Sequence, residues 1–233
     1  MKRKKNTPSL EESSLQMHPI FLHLSQEEME LINYEKECNY FKRGEILYHE
    51  GRRMTGFYCV NKGIVKIYKT GIDGKEQIIA FAQKGDILGY RSILSNENAC
   101  TTSKVIEDAV LCFIPAHLLL DLIKNNSEFS FGVMKLTCHE LGEANSYITD
   151  LAQKTVRERL AEILVLLKDK FDLASDGTLQ ISLTREELAN IVGTATESVI
   201  RLLSEFKADD LIDLNGRKIK ILDIQGLTKL GNL

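Results

Sequence analysis

Between residues 40 and 114 the chain repeats one pattern: a short run of β-branched and aromatic residues, followed by a turn that contains glycine. Such runs favour the pleated, half-buried surface of a strand, and glycine allows the sharp turns between them. The runs are residues 45–48, 56–60, 63–68, 77–81, 86–88, 102–106 and 109–114. The pair Asp73-Gly74 between two of them predicts a tight hairpin. Many short strands at this spacing predict a compact antiparallel β-roll.

Helices flank this strand-rich region. Ser25 and Glu28 have the spacing of a capping box and predict the start of an amphipathic helix within residues 18–33. Residues 117–124 predict a short helix after the last strand. A much longer helix follows over residues 128–155, because its apolar positions repeat with helical rather than strand periodicity.

The long helix carries a stripe of apolar or small residues at alternating steps of three and four. This is the seam of a coiled coil of about three heptads. Its members are Met134, Thr137, Leu141, Ala144, Ile148 and Leu151. One alternative is a single helix that lies on its own β-roll. We expect the stripe to meet a second copy of the chain, and a second apolar face at Phe129, Val133 and Leu136 to cover the roll.

Residues 184–207 predict two short helices joined by a tight turn. Thr184 and Glu187 form another capping box, and Gly193 lies where the chain must turn sharply. The second helix, residues 194–206, begins with small and polar side chains, as does a recognition helix that enters the DNA major groove. From spacing alone, an ordinary helical hairpin packed in a core is an equal alternative.

The neighbouring segments complete a winged-helix pattern. Residues 155–171 predict a preceding helix, and Asp176-Gly177 predicts a small hairpin whose second strand is residues 180–183. After the helix pair, Asn215-Gly216 separates two short apolar runs and predicts a second hairpin. The order helix, strand, helix, turn, helix and hairpin is that of a winged helix-turn-helix.

Composition limits the classes of protein that this chain can be. Hydrophobic residues make up 43% and charged residues 27% of the 233, the balance of a globular protein able to bury a core. The longest apolar runs, residues 78–82 and 163–167, are too short to cross a bilayer. No apolar stretch follows the basic tail at residues 2–5, as it would in a signal peptide. We therefore expect a cytoplasmic protein with no membrane partner.

Charge distinguishes between two kinds of DNA-binding protein. The formal net charge is −3, and residues 156–233 contain 11 Lys and Arg against 13 Asp and Glu. Affinity for DNA of any sequence comes mostly from cationic contacts with phosphate. This charge balance therefore argues against a protein that coats DNA without regard to sequence. It allows a sequence-specific DNA-binding protein with a locally basic face.

Cysteine spacing and the absence of catalytic motifs exclude further classes. The five cysteines, Cys38, Cys59, Cys100, Cys112 and Cys138, are odd in number and nowhere in CxxC spacing. They predict reduced thiols that pack as small apolar residues. The sequence contains no nucleophile–base pair, metal-ligand cluster or phosphate-cradling GxxxxGKS/T loop, so we predict neither an enzyme nor a metal site.

A glycine-cornered β-roll, a long helix and a winged helix-turn-helix, in this order, resemble the bacterial CRP/FNR family of transcription regulators. The resemblance covers residues 19–224. Its marks are Lys42-Arg43-Gly44-Glu45, Asn61-Lys62-Gly63, Lys84-Gly85-Asp86-Ile87-Leu88-Gly89, and Thr184-Arg185 through Arg201-Leu202-Leu203. The implied fold is α+β, with an antiparallel β-roll of the cyclic-nucleotide-binding, jelly-roll type. The implied partners are double-stranded DNA, a second copy of the chain and RNA polymerase.

The resemblance also implies a division into four segments. These are a flexible arm at residues 1–18, an effector β-roll at 19–127, a dimerisation helix at 128–155 and a DNA-binding domain at 156–233. The dimer seam then comprises Met134, Leu141, Ala144, Ile148 and Leu151.

The family's base-reading positions correspond to four residues of the second helix. Glu197 matches a glutamate that accepts from a cytosine amino group, and Arg201 matches an arginine that faces guanine. Thr196 replaces an arginine, and Ile200 replaces a serine of the oxygen-sensing branch; isoleucine offers a thymine methyl an apolar surface but no hydrogen bond. The phosphate-contacting positions correspond to Thr184, Arg185 and Ser198, which orient the domain without specifying sequence.

The sensing pocket departs from the family. It corresponds to Gly89, Tyr90, Arg91, Ser92, Cys100 and Thr101. Tyr90 replaces the glutamate that binds the ribose, and Cys100 replaces the arginine that binds the cyclic phosphate. A buried phosphate without its cation loses a charge-assisted pair, which argues against cyclic AMP. Arg91 is a candidate cation for some other anion.

Other cofactors have little or no support. The clustered N-terminal cysteines of the oxygen-sensing branch are absent, which argues against an iron–sulfur cluster. Haem ligation by His18, His23 or His139 has no positive support but stays open, as does a redox signal. Our main hypothesis is a homodimeric regulator that binds an inverted repeat through residues 194–206. The alternative is a ligand-binding module whose C-terminal domain docks a protein partner.

Overall fold

The computed structural model describes residues 18–233, so the basic tail and all of the expected N-terminal arm except His18 lie outside it. The chain forms two compact units. The first contains the residues up to Lys69 together with Ile78–Glu140, and the second contains Thr70–Gln77 and Leu141–Leu233. Among the helices of residues 18–233, none combines the length and apolarity needed to span a bilayer.

The first unit starts with helical structure. A short 3-10 turn, Pro19–Phe21, precedes helix α1, Gln26–Glu35. The predicted capping box is confirmed: the Glu28 N–H donates to Ser25 Oγ at 3.2 Å, and the Ser25 N–H donates to Glu28 Oε2 at 2.8 Å. These bonds satisfy two N–H groups that a helix start otherwise leaves unpaired.

Six strands form one antiparallel sheet in the first unit and confirm the predicted β-roll. They are β1, Glu37–Phe41; β2, Ile46–Tyr48; β3, Gly56–Thr70; β4, Glu76–Ala82; β5, Ile87–Leu88; and β6, Thr102–Pro115. The main path runs in the order β1-β6-β3-β4, while β2 pairs with β6 and β5 with β3.

The roll has fewer and longer strands than predicted. The runs at residues 56–60 and 63–68 form the single strand β3, whose register against β6 shifts at several points between Val60 and Val65. Gly63 has φ +88° there, and a Cβ atom would lie 2.5 Å from the Asp108 carbonyl oxygen. The glycine that we interpreted as a corner therefore allows a bulge within a continuous strand. The runs at 102–106 and 109–114 likewise form the one strand β6.

The prediction that all cysteines are reduced was wrong for one pair. Cys38 on β1 lies directly opposite Cys112 on β6, and a disulfide joins them. Strand β3 pairs with the opposite edge of β6, where Cys59 lies across from Cys112. Cys59 is a thiol and is buried in the core. Cys100 and Cys138 are exposed thiols. Spacing could not reveal the bridge, because 74 positions separate the two partners and only strand pairing brings them together.

Three helices complete the first unit. Helix α2, Tyr90–Ser95, was not among the predicted elements, and α3, Ala116–Asn125, lies close to the predicted 117–124. The long helix α4 spans Ser127–Gln153. As predicted, its Phe129 and Val133 are buried in the core of the β-roll.

The second unit contains the rest of α4 and the winged-helix elements. These are α5, Val156–Phe171; α6, Arg185–Val192; α7, Thr196–Ala208; β7, Ile212–Asn215; β8, Lys218–Ile221; and α8, Ile224–Leu230. The structure has no strand at residues 180–183, where one was predicted; the segment before them forms only the isolated bridges Leu173–Leu179 and Thr178–Lys220. Helix α8 was not predicted.

The two-residue hairpin of the wing is confirmed, displaced by one residue. Asn215 pairs with Lys218, so the loop consists of Gly216 and Arg217, and Gly216 has φ +58°. Glycine reaches this left-handed region without steric cost.

Candidate nucleic-acid interface

The turn between α6 and α7 fixes the direction in which α7 leaves the domain. The capping box of Thr184 and Glu187 starts α6, with N–H to side-chain oxygen distances of 3.0 and 2.8 Å. Gly193 ends α6 in the left-handed conformation, φ +72°, and its N–H donates to the Ala189 carbonyl at 2.9 Å. The Thr194 N–H shares the same acceptor at 3.1 Å. Three residues, 193–195, therefore connect the two helices in a tight turn, as the sequence predicted.

Polar contacts from three segments hold the carbonyl end of α6. Gln77 Nε2 donates to the Asn190 carbonyl at 2.5 Å, and Tyr147 Oη donates to the Ile191 carbonyl at 2.9 Å. Arg159 Nε donates to the Val192 carbonyl at 2.9 Å. These are carbonyls that a helix end leaves without intrahelical partners, so the contacts fix the geometry of the turn.

Helix α7 presents one face to solvent and buries the other. Val199, Leu202, Leu203 and Phe206 are buried. On the opposite face, Glu197 is exposed, Ile200 is 49% exposed and the Arg201 side chain is 69% exposed. Spacings of three and four place these residues side by side. Thr196 is half-buried at the first position of the helix. The four predicted base readers therefore lie on the first two turns of α7, which begins two residues later than predicted.

The predicted phosphate contacts lie around the start of α6 and of α7. Thr184 uses its hydroxyl as the cap described above, and Ser198 is half-buried in the first turn of α7. Arg185 Nη2 donates to the Gly216 carbonyl in the wing at 2.8 Å, while its buried Nη1 has no hydrogen-bond partner among residues 18–233. Burial lowers the pKa of the Arg185 guanidinium below its ordinary value. Arg185 therefore ties the start of α6 to the wing.

Sequence analysis missed the acidic partner of Arg201. Arg201 Nη1 donates to Glu205 Oε1 at 2.7 Å, one helical turn further along α7. The i,i+4 spacing of arginine and glutamate is visible in the sequence and was the available signal. Arg157 on α5 donates to the other oxygen of the same carboxylate at 2.7 Å. No spacing rule relates residues 48 positions apart in this way.

A separate cavity of about 450 Å³ lies beside α2 in the first unit. It is lined by Arg91, Ser92, Leu94, Ser95, Glu97, Asn98, Cys100 and Thr137. Three of the six predicted pocket residues are therefore on its wall. Gly89 instead caps α2 in the left-handed conformation, and Tyr90 and Thr101 are buried, at 2% and 5% exposure.

The cavity residues do not fit a cyclic phosphate. Among the described residues that line the cavity, Arg91 is the only cation, and its Nε lies 3.6 Å from Glu140 Oε2. Glu97 adds a second carboxylate to the wall, and Cys100 offers a thiol where the family places a cation. Burial, together with the Glu140 carboxylate, raises the pKa of Tyr90 well above its ordinary value, so that residue stays neutral. An anion would meet more negative than positive charge here.

The predicted seam on α4 is exposed throughout. Met134 is 56%, Leu141 61%, Ile148 63% and Leu151 38% exposed, and Ala144 is also exposed. The single chain therefore leaves the large apolar side chains of this row in contact with water. Within residues 18–233, no three His, Cys, Asp or Glu side chains converge to hold a metal ion.

Comparison with protein families matches both parts of the chain. A model of the cyclic nucleotide-binding domain matches residues 38–126, and a model of the Crp-like helix-turn-helix domain matches residues 158–230. Together the two matches cover more than half of the chain. The boundaries agree with a β-roll followed by a winged helix-turn-helix.

Individual relatives agree with both domains. The fumarate and nitrate reduction regulatory protein of Vibrio cholerae is 27% identical over 194 residues, which are 82% of this chain and 77% of the relative. The transcriptional activator protein Anr of Pseudomonas protegens is 28% identical over 205 residues, 87% of this chain and 84% of the relative. Both relatives are named as regulators and not as enzymes.

Solved structures share the whole architecture. FixK2 from Bradyrhizobium japonicum superposes with a TM-score of 0.75 at 25% identity and covers 84% of this chain and 96% of its own. A transcriptional regulator of the Crp/Fnr family from Eubacterium rectale gives the same TM-score at 22% identity, with 92% and 98% covered. Fold, helix-turn-helix geometry and both family matches therefore agree, and the chain belongs to the CRP/FNR family of transcription regulators.

Proposed function

We propose that this regulator binds double-stranded DNA as a homodimer, at an inverted repeat that it reads with residues 194–206 of each copy. The observation that carries the proposal is the exposed face of α7, on which Glu197, Ile200 and Arg201 point into solvent from a helix anchored on its other side. This is the arrangement in which a recognition helix enters the major groove. The DNA-binding domain then comprises residues 156–233.

The side chains of that face define the expected half-site. Glu197 accepts a hydrogen bond from a cytosine amino group, and Arg201 donates to O6 and N7 of guanine. Ile200 contacts a thymine methyl, and Thr196 gives no cationic contact, so the adjoining pair is expected to be A·T. Thr184, Arg185 and Ser198 bind phosphate and set the register. The half-site therefore combines a G·C pair with an A·T-rich neighbour.

The dimer forms through the dimerisation helix, residues 128–155. Its support is the exposed apolar row from Met134 to Leu151, spaced as a coiled-coil seam. A two-fold axis along this seam relates the two recognition helices, so the half-sites lie about 34–36 Å apart, one turn of DNA.

The β-roll, residues 19–127, receives the signal. It has two candidate sites for that signal. One is the cavity lined by Arg91, Ser92 and Cys100; the other predicted pocket residues, Gly89, Tyr90 and Thr101, are their neighbours in the sequence. The other site is the disulfide of Cys38 and Cys112, whose reduction and re-formation would be the redox signal. Either signal acts only if it favours one of two conformational states. RNA polymerase is the expected protein partner, and the cytoplasm the expected location.

Selection of bound fragments from a random DNA pool tests the proposal. The full-length chain should enrich an inverted repeat, and the Arg201→Ala and Glu197→Ala variants should lose preference at one base pair each, by about 1–3 kcal/mol. Lys207→Ala is a matched control. It removes a cation from the far end of the same helix, where Lys207 pairs with Asp213, and should keep the wild-type preference.

A protein-docking module is the second candidate function. The observation that favours it is the slight acidity of residues 156–233, with 11 basic and 13 acidic side chains. If the wild-type chain folds and dimerises but enriches no DNA sequence, this candidate replaces the first.

A further inference from the structure

The exposed side chain of Arg201, a proposed reader, forms an ion pair with Glu205. Glu205 is in turn held by Arg157 on α5. Glu205 binds Arg201 Nη1 through Oε1 and Arg157 Nη1 through Oε2, at 2.7 Å in both cases. A carboxylate that accepts from two guanidinium groups has little rotational freedom left. The position of the Glu205 side chain is therefore set by α5, through Arg157, as well as by its own helix.

Arg157 is itself firmly placed. Its Nη2 donates to Asp209 Oδ2 at 2.7 Å, and its guanidinium carbon lies 5.0 Å from the centre of the Phe206 ring, in the geometry of a cation–π contact. Phe206 is completely buried. The hydrogen-bonded chain Asp209–Arg157–Glu205–Arg201 thus lies along the surface of the domain, with Arg157 packed on the buried Phe206 ring, and ends at the exposed face of α7. We call it the Arg157–Glu205 brace.

The brace leaves the useful edge of Arg201 open. Guanine recognition needs two adjacent N–H donors of one guanidinium. Glu205 engages Nη1, so Nε and Nη2 remain as an adjacent pair directed away from the carboxylate. An unbraced arginine at 69% exposure samples many rotamers and loses that freedom on binding. Arg201, paired with Glu205, has already lost part of this rotamer freedom before it meets DNA.

The same carboxylate removes charge from the reading face. Attraction between a cation and any phosphate is independent of sequence and raises affinity for all DNA equally. Glu205 neutralises Arg201 until a base offers two acceptors in the correct geometry. An exposed pair at this spacing contributes little to folding stability, so its effect should be found in recognition.

We propose that Glu205 is the positioning residue for Arg201, and that it increases selectivity at the Arg201 base pair while it suppresses affinity for unrelated DNA. This role rests on the proposed function, in which Arg201 reads guanine. Glu205 itself makes no DNA contact; it acts through the orientation and charge of Arg201.

The experiment compares Glu205→Gln with wild type in the full-length dimer. Dissociation constants are measured on the selected inverted repeat, on the same repeat with the Arg201 base pair exchanged, and on unrelated DNA, at several salt concentrations. The variant should lose about three- to tenfold in the ratio between the first two DNAs and should gain affinity for unrelated DNA. Glutamine keeps the size of the side chain, and a thermal melt verifies the fold.

Asp213→Asn is the matched control. It removes one carboxylate of the same domain, 52% exposed and paired with Lys207 instead of a reader. If it changes the base-pair ratio as much as Glu205→Gln does, or if Glu205→Gln leaves that ratio unchanged while Arg201→Ala abolishes it, the proposed role of Glu205 is overturned. A wild-type chain that selects no DNA overturns the proposed function itself, and the role of Glu205 with it.

Discussion

Cys38 on β1 and Cys112 on β6 lie directly opposite each other, and their disulfide closes a loop of chain with a sequence separation of 74. A crosslink of this span stabilises mainly by restricting the unfolded chain. Reduction should therefore lower the free energy of unfolding by roughly 2–4 kcal/mol, measured by urea titration with and without a thiol reductant.

Two cysteine variants make that prediction specific. Cys38→Ser should unfold at the same urea concentration in both conditions, because it has no bridge to lose. Cys138→Ser removes an exposed thiol of α4 and should respond to reductant as the wild type does. Equal stability of the oxidised and reduced wild type would contradict the prediction.

The exposed seam of α4 should control assembly and not folding. Leu141→Asp places a charge on a side chain that is 61% exposed in the single chain, so the fold tolerates it while a two-fold apolar seam does not. Sedimentation at concentrations on the order of micromolar should show a dimer for the wild type and a monomer for this variant. Leu166→Asp makes the same change at a 48% exposed leucine on α5 and should remain dimeric. A dimeric Leu141→Asp protein would place the interface elsewhere.

Ile200 should make binding sensitive to a single methyl group. At 49% exposure its side chain can bury the thymine methyl against the helix. Replacing that thymine by deoxyuridine should weaken wild-type binding by about 0.8 kcal/mol, the typical value for one buried methylene-sized group. Ile200→Ala should bind the two DNAs equally. Equal binding by the wild type would remove Ile200 from the set of readers.

His18 should make the first unit sensitive to mild acid. Burial lowers its pKa below the ordinary 6.5, although the Asp86 carboxylate opposes the shift, and its Nδ1 accepts the Ile20 N–H at 3.3 Å. The unfolded chain then takes up a proton at a pH where the folded chain does not. This stability contribution is complete above pH 6.5 and falls as the pH drops toward the folded-state pKa.

The measurement for His18 is a pair of urea titrations at about pH 7.5 and about pH 5.5. Other acid-sensitive groups are common to both proteins, so His18→Gln should lose less stability between the two conditions than the wild type loses. An identical loss in both proteins would exclude His18 as the source.

Local signals accounted for most of the elements. The capping boxes at Ser25 and Thr184 involve residues only three positions apart. Their hydrogen bonds can therefore be predicted from the local sequence alone. The left-handed turn at Gly193 is local for the same reason. The exposed face shared by Glu197, Ile200 and Arg201, three of the four proposed readers, could be predicted once α7 was placed, because the periodicity of a helix determines which side chains share a face.

Features that depend on distant pairing could not be predicted. Gly63 suggested a corner, and only the approach of Asp108 on the neighbouring strand makes it a bulge. The bridge of Cys38 with Cys112 and the contact of Arg157 with Glu205 also require the assembled fold. In each case the sequence contains both partners, but nothing local favours one pairing over the others.

The Arg157–Glu205 brace limits how the DNA preference of this protein can change during evolution. One carboxylate binds Arg157, which packs against the core, and Arg201, which we propose reads DNA, so neither arginine can change without disturbing the other. Among descendants of a common ancestor, residues 157, 201 and 205 should therefore change together. A lineage that replaces the acid at 205 first would pass through a less discriminating regulator before it acquires a new target.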